Sequence, residues 1–95
     1  MNETTQYTIE RVSQSASSYL KRLPRKQQEI IAQAFDYLCQ VSPFQHPNPT
    51  TIKPLKGEYQ GLWRYRVGNI RIIYSVDETD YTLSIVAIDN RGNVY

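Results

Sequence analysis

Hydrophobic and polar positions alternate through Leu62–Val67 and again through Ile70–Val76, with only Gly68-Asn69 between the two runs. A two-residue break of that composition suits a tight type II′ or I′ β-hairpin. The register follows directly: Val67 opposite Ile70, Arg66 opposite Arg71, Tyr65 opposite Ile72 and Trp63 opposite Tyr74. Side chains alternate across a strand, so Trp63, Tyr65, Val67, Ile70, Ile72 and Tyr74 share one face. Arg64, Arg66 and Arg71 share the other. The phase of Trp63, Tyr65 and Tyr74 places them with aliphatic residues, which makes them core rather than a base-stacking platform. Alternation over 7–12 and 81–88 predicts two further strands. If Val76 pairs with Tyr81 across the acidic turn Asp77-Glu78-Thr79-Asp80, then Tyr81, Leu83, Ile85 and Ala87 join the core face and Val86 sits beside Arg71.

Between the first strand and the hairpin the period changes to that of a helix. Ser13 can cap a helix over 14–23, with Ala16, Tyr19, Leu20 and Leu23 on one stripe. Pro24 ends it and can open the next helix, which the stripe Ile30, Ile31, Ala34, Phe35, Leu38, Val41 carries over 25–41. The segment Ser42–Thr51 holds Pro43, Pro47 and Pro49 and reads as a loop in which His46 is solvated. The order β-α-α-β-β-β predicts one α+β domain over residues 1–95. A helical hairpin packs on one face of a mainly antiparallel, four-stranded sheet. Trp63, Tyr65, Ile72, Tyr74, Leu83 and Ile85 are expected to be buried against Leu20, Ile30, Ile31, Ala34 and Leu38.

That arrangement leaves the arginine face open. Like charges placed directly opposite one another destabilise a strand pair, so Arg66 against Arg71 implies an anion between them, and phosphate fits. Net charge is only +2, but seven of the eleven cations are arginine, the residue suited to bidentate phosphate contact. Lys53 and Lys56, just ahead of the hairpin, are candidates for nucleic-acid backbone contacts. The end of the fourth strand returns toward the Gly68-Asn69 turn, which delivers the tail from Asp89 to Tyr95 to the corner of Arg66 and Arg71. Arg91 and Tyr95 thereby join the candidate site.

Cysteine and histidine usage narrows the chemistry. Cys39 stands alone on a helix, where it is a packing residue, and a single histidine leaves no ligand set for zinc or haem. No metal or cofactor is expected. The polar N-terminus has no signal-peptide core, and no window approaches the roughly 18 apolar residues of a membrane span. A soluble, cytoplasmic protein is the expectation.

Leu23-Pro24 before an amphipathic helix, Leu55-Lys56-Gly57, the hairpin from Trp63 to Tyr74, and the closing run Ile88-Asp89-Asn90-Arg91-Gly92-Asn93-Val94-Tyr95 together resemble the RelE/ParE toxin superfamily. The resemblance covers nearly the whole chain. It implies the fold derived above, a cognate antitoxin as partner, and one of two targets. The RelE branch cuts mRNA in the ribosomal A site; the ParE branch poisons DNA gyrase. Carried over by position, the basic pair of the second strand is Arg64 and Arg66, the basic residue opening the third strand is Arg71, and the tail pair is Arg91 and Tyr95. Many relatives have His just before the tail arginine, where this chain has Asn90, which cannot act as a general base.

Three functions compete. As a ribosome-dependent endoribonuclease, the protein would use Arg64 or Arg66 to ease deprotonation of the RNA 2′-OH. Arg71 and Arg91 would stabilise the transition state, and Tyr95 would stack on a base or help move a proton. The products would be a 2′,3′-cyclic phosphate and a 5′-OH. As a gyrase inhibitor or a plain protein-binding module, the same face would receive protein. The four arginines together with Tyr95 favour the nuclease.

Overall fold

The structure is a computed structural model that describes residues 6–90. Its elements are β1 (Thr8–Val12), α1 (Gln14–Arg22), α2 (Arg25–Gln40), β2 (Ile52–Pro54), a 3₁₀ turn (Gly57–Tyr59), β3 (Trp63–Val67), β4 (Ile70–Asp77) and β5 (Thr82–Asp89). The α+β class and the helical hairpin match the reading from sequence. The sheet has five strands rather than four, in the order β1-β5-β4-β3-β2, and β1 runs parallel to β5 while every other pair is antiparallel.

The added strand is β2, three residues long, with Lys53 opposite Arg64 and Pro54 opposite Trp63. A proline has no N–H to donate, so such a strand survives only at an edge. That brevity hides it from any periodicity test. Among the described residues no helix is long and apolar enough to cross a membrane.

The β3–β4 register is the one its turn dictates: Val67 pairs with Ile70, Arg66 with Arg71, Tyr65 with Ile72 and Trp63 with Tyr74. Gly68 takes a φ of +58° and Asn69 stays at negative φ, as a type II′ turn requires. The β4–β5 register departs from expectation. Asp77 Oδ1 accepts from the backbone of Thr79 (2.9 Å) and Asp80 (3.1 Å), Tyr81 enters the left-handed region at φ +58°, and Asp77 pairs with Thr82. The turn keeps its four residues but sits one position further along the chain, so Val76 pairs with Leu83 and Tyr81 is exposed instead of core.

A bulge then changes the phase of β5. Tyr74 pairs with Ile85 but Ile73 pairs with Ala87, so Val86 is an extra residue. Beyond a bulge the alternation restarts one residue out. Ile88 is buried where Ala87 was expected, and Arg71 lies opposite Asp89 where Val86 was expected.

Tyr65, Ile72, Tyr74, Leu83 and Ile85 are buried with Ile31, Ala34 and Leu38, as the pattern implies, while Leu20 and Trp63 are half-buried against that core. Ile30 is 40% exposed, contrary to expectation. Ile31, Ala34 and Leu38 follow the i, i+3, i+7 line that faces the sheet, which turns Ile30 to the flank. Tyr74 places its hydroxyl 2.6 Å from the Pro43 carbonyl, so burial raises its pKa but leaves it no unsatisfied donor. Cys39 packs half-buried against the core and burial pushes its thiol up, which suits a structural residue.

Ser13 caps α1, accepting from Ala16 N at 3.1 Å, and its hydroxyl donates to the carbonyl of the bulged Val86 at 2.7 Å. The cap thus also ties the helix to the bulge. Ser13→Ala is expected to cost about 1 kcal/mol and to lower the melting temperature by roughly 5 °C in a thermal unfolding scan.

Candidate nucleic-acid interface

The sheet face opposite the helices collects the cations in two rows. Across β2, β3 and β4 run Lys53, Arg64 and Ile73; one row nearer the turn, Arg66 faces Arg71, which in turn faces Asp89. Cross-strand partners share a face, so these pairings alone bring Lys53, Arg64, Arg66 and Arg71 onto one surface. Ile73 is fully buried yet stands outside the core cluster, on the arginine side of the sheet. It gives the cluster an apolar floor.

Each guanidinium is held by a backbone carbonyl. Arg64 Nη2 donates to Thr50 O, Arg66 Nε to Gly68 O at 3.4 Å, and Arg71 Nη1 to Asn69 O at 3.5 Å. The latter two bonds are long and fold both side chains against the hairpin turn. Arg64 is different. Its Nε is buried without a hydrogen-bond partner. Burial lowers the pKa of the Arg64 guanidinium from the ordinary arginine value, and the charges of Arg71 and Arg66 lower it further. The three cations therefore feel one another, as the register implies they must.

Not every candidate from the sequence joins them. Lys56 follows β2 and lines a separate groove with Pro54, Gly57 and Trp63, away from the arginine rows. Lys53 stands in the sheet beside Arg64, a position visible only once β2 is known. Arg91 and Tyr95 lie outside the described residues; the strand that leads to them ends with Asp89 opposite Arg71.

His46 is not a freely solvated loop residue. Its ring lies 4.8 Å from that of Tyr37 and 5.8 Å from that of Tyr65, and its Nδ1 accepts from Asn48 N at 3.0 Å. Sequence reasoning missed the Thr50 carbonyl altogether, because backbone groups leave no mark in a residue pattern.

A two-layer domain that covers one sheet face with helices and leaves arginines clustered on the other presents a cationic surface chemically suited to an anion. The family model for the ParE toxin of type II toxin–antitoxin systems matches residues 11–95. Toxin RelG of Mycobacterium tuberculosis is 35% identical over 43 residues, 45% of this chain and about half (49%) of that protein's length. Among solved structures, the M. tuberculosis RelBE2 toxin–antitoxin complex aligns with a TM-score of 0.75 and 26% identity, over 98% of this chain and 100% of that one. The archaeal RelE–RelB complex from Pyrococcus horikoshii OT3 aligns with a TM-score of 0.73 and 26% identity, over 94% and 99%. The chain belongs to the ParE toxin family of type II toxin–antitoxin systems, within the RelE/ParE superfamily.

Proposed function

We propose that this toxin is a ribosome-dependent endoribonuclease that cuts mRNA in the A site by attack of the RNA's own 2′-OH. The observation that carries this reading is the opposition of Arg66 and Arg71 on an open sheet face, with Arg64 close enough to feel both. RNA supplies the nucleophile, so the protein has to align it, balance phosphate charge and manage protons. Arg64, together with Arg66, eases deprotonation of the 2′-OH through its positive charge, which stabilises the developing oxyanion. Arg71 and the tail's Arg91 take the charge that develops on the phosphate, and Tyr95 stacks on a base or assists proton transfer. Lys53 holds a flanking phosphate beside Arg64. The same chemistry needs no metal-activated water.

The toxin works in the cytoplasm as a single domain over residues 1–95, and a cognate antitoxin holds it inactive. Two similar structures are toxin–antitoxin complexes, and the cationic face suits an acidic antitoxin segment that masks Arg66, Arg71 or Arg91.

One observation favours a second reading. The matching family model is that of ParE toxins, so the target could instead be DNA gyrase, with no bond cut by the toxin. A translation extract given the purified protein separates the two. Mapped cuts in ribosome-bound mRNA, with gyrase supercoiling untouched in a parallel assay, are the expected result. Intact mRNA with lost supercoiling would hand the face to gyrase, and neither effect would leave a protein-binding module.

A further inference from the structure

The loop from Ser42 to Thr51 joins the helix side of the sheet to the arginine side, and tyrosines clamp its first half. Tyr74 donates to the Pro43 carbonyl and Tyr37 to the Gln45 carbonyl, each at 2.6 Å, and Ser42 Oγ accepts from Phe44 N and Gln45 N at 3.0 Å. His46, packed against Tyr37 and Tyr65, then begins a relay. Its Nδ1 accepts from Asn48 N at 3.0 Å; Asn48 Oδ1 accepts from Thr50 N at 3.0 Å and from Thr50 Oγ1 at 2.8 Å; and the Thr50 carbonyl accepts from Arg64 Nη2. At the far end the Thr51 carbonyl accepts from Arg66 N at 2.9 Å, which pins the loop to β3.

Arg64 needs such an anchor. Three other cations (Lys53, Arg66 and Arg71) share its face, and a long flexible side chain repelled by like charges swings outward unless something holds it. The carbonyl of Thr50 is the acceptor available at that edge, and its direction is set by the turn that Asn48 closes. We infer that Asn48 is a positioning residue for Arg64: by accepting both Thr50 donors it aims the Thr50 carbonyl at the Arg64 guanidinium and keeps that side chain within the cationic cluster. His46 supports it by fixing the Asn48 backbone. The consequence for catalysis rests on the ribonuclease reading; the consequence for Arg64 itself does not.

The test compares Asn48→Ala with Asn48→Asp and Asn48→Ser, both of which keep an oxygen acceptor, the latter without a charge. The first readout is independent of activity. The Arg64 Nε is buried in the parent, so in ¹⁵N-labelled protein its N–H is expected to exchange slowly with solvent. Asn48→Ala is expected to speed that exchange roughly tenfold, and the Asp and Ser variants to restore it. In the extract assay, Asn48→Ala should lower the maximal rate of mRNA cutting by roughly tenfold to a hundredfold with KM for the ribosome little changed. Unchanged Arg64 exchange in Asn48→Ala would overturn the proposal. So would Asp and Ser variants that behave like Ala. If the parent cuts no mRNA, the ribonuclease reading fails, while the exchange data still decide whether Asn48 holds Arg64.

Discussion

Arg71→Ala is expected to slow cleavage of ribosome-bound mRNA about a hundredfold, equivalent to roughly 3 kcal/mol of lost transition-state stabilisation. Arg71 opens β4 with its Cα opposite that of Arg66 and is half-buried, so its guanidinium can meet a phosphate in a partly desolvated setting where charge contacts count most. Its loss leaves the fold intact for a physical reason. Removing one of two opposed cations relieves repulsion from Arg66, which offsets the lost attraction to Asp89 opposite Arg71 on β5, and the bond to Asn69 O, at 3.5 Å, is too long to contribute much. The melting temperature of Arg71→Ala should stay close to the parent's while the rate collapses. Arg71→Lys should fall between, because it keeps the charge and loses the planar fork. A single-turnover cleavage assay alongside a thermal scan measures both. An Arg71→Ala protein that cuts mRNA like the parent would falsify the assignment of this face as the nuclease site.

The second large effect is on stability. Leu38 is fully buried on the sheet-facing line of α2, next to the strands that carry the arginines. Leu38→Ala removes buried methyl groups and leaves a cavity, at a cost of about 2–5 kcal/mol. In a domain of this size that is a large share of the typical total, and the melting temperature should drop by roughly 10–20 °C. Ile30→Ala is the matched control. Ile30 lies on the same helix but is 40% exposed, so its loss should cost well under half as much. Equal shifts in the two variants would mean that α2 is rotated relative to the packing described above.

These contrasts also mark where local information ends. Two elements could be read from the chain because the forces that set them act between near neighbours. The β3–β4 pairing needs a two-residue turn and an alternating pattern, and both are written in Leu62–Val76, so Arg66 opposite Arg71 follows without knowledge of the rest. The helices and the Ser13 cap follow from a period and a capping residue in the same way.

Other features depend on what lies far away in sequence. The Val86 bulge changes the phase of β5 midway, which buries Ile88 and sets Asp89 rather than Val86 across from Arg71. No alternation within β5 announces it. β2 is three residues ending in proline, and it is a strand only because β3 offers it an edge; through it Lys53 comes to stand beside Arg64. Ile30 and Ile31 are equally apolar neighbours, and only the docking angle of α2 decides that Ile31 is buried while Ile30 faces outward. The Thr50 carbonyl that holds Arg64 has no side-chain signature at all. Sequence by itself determined that three arginines share a face and that two of them oppose each other, because period and turn chemistry are local. Tertiary structure alone decided which groups surround and hold them, because bulges, edges and backbone acceptors exist only once distant segments meet.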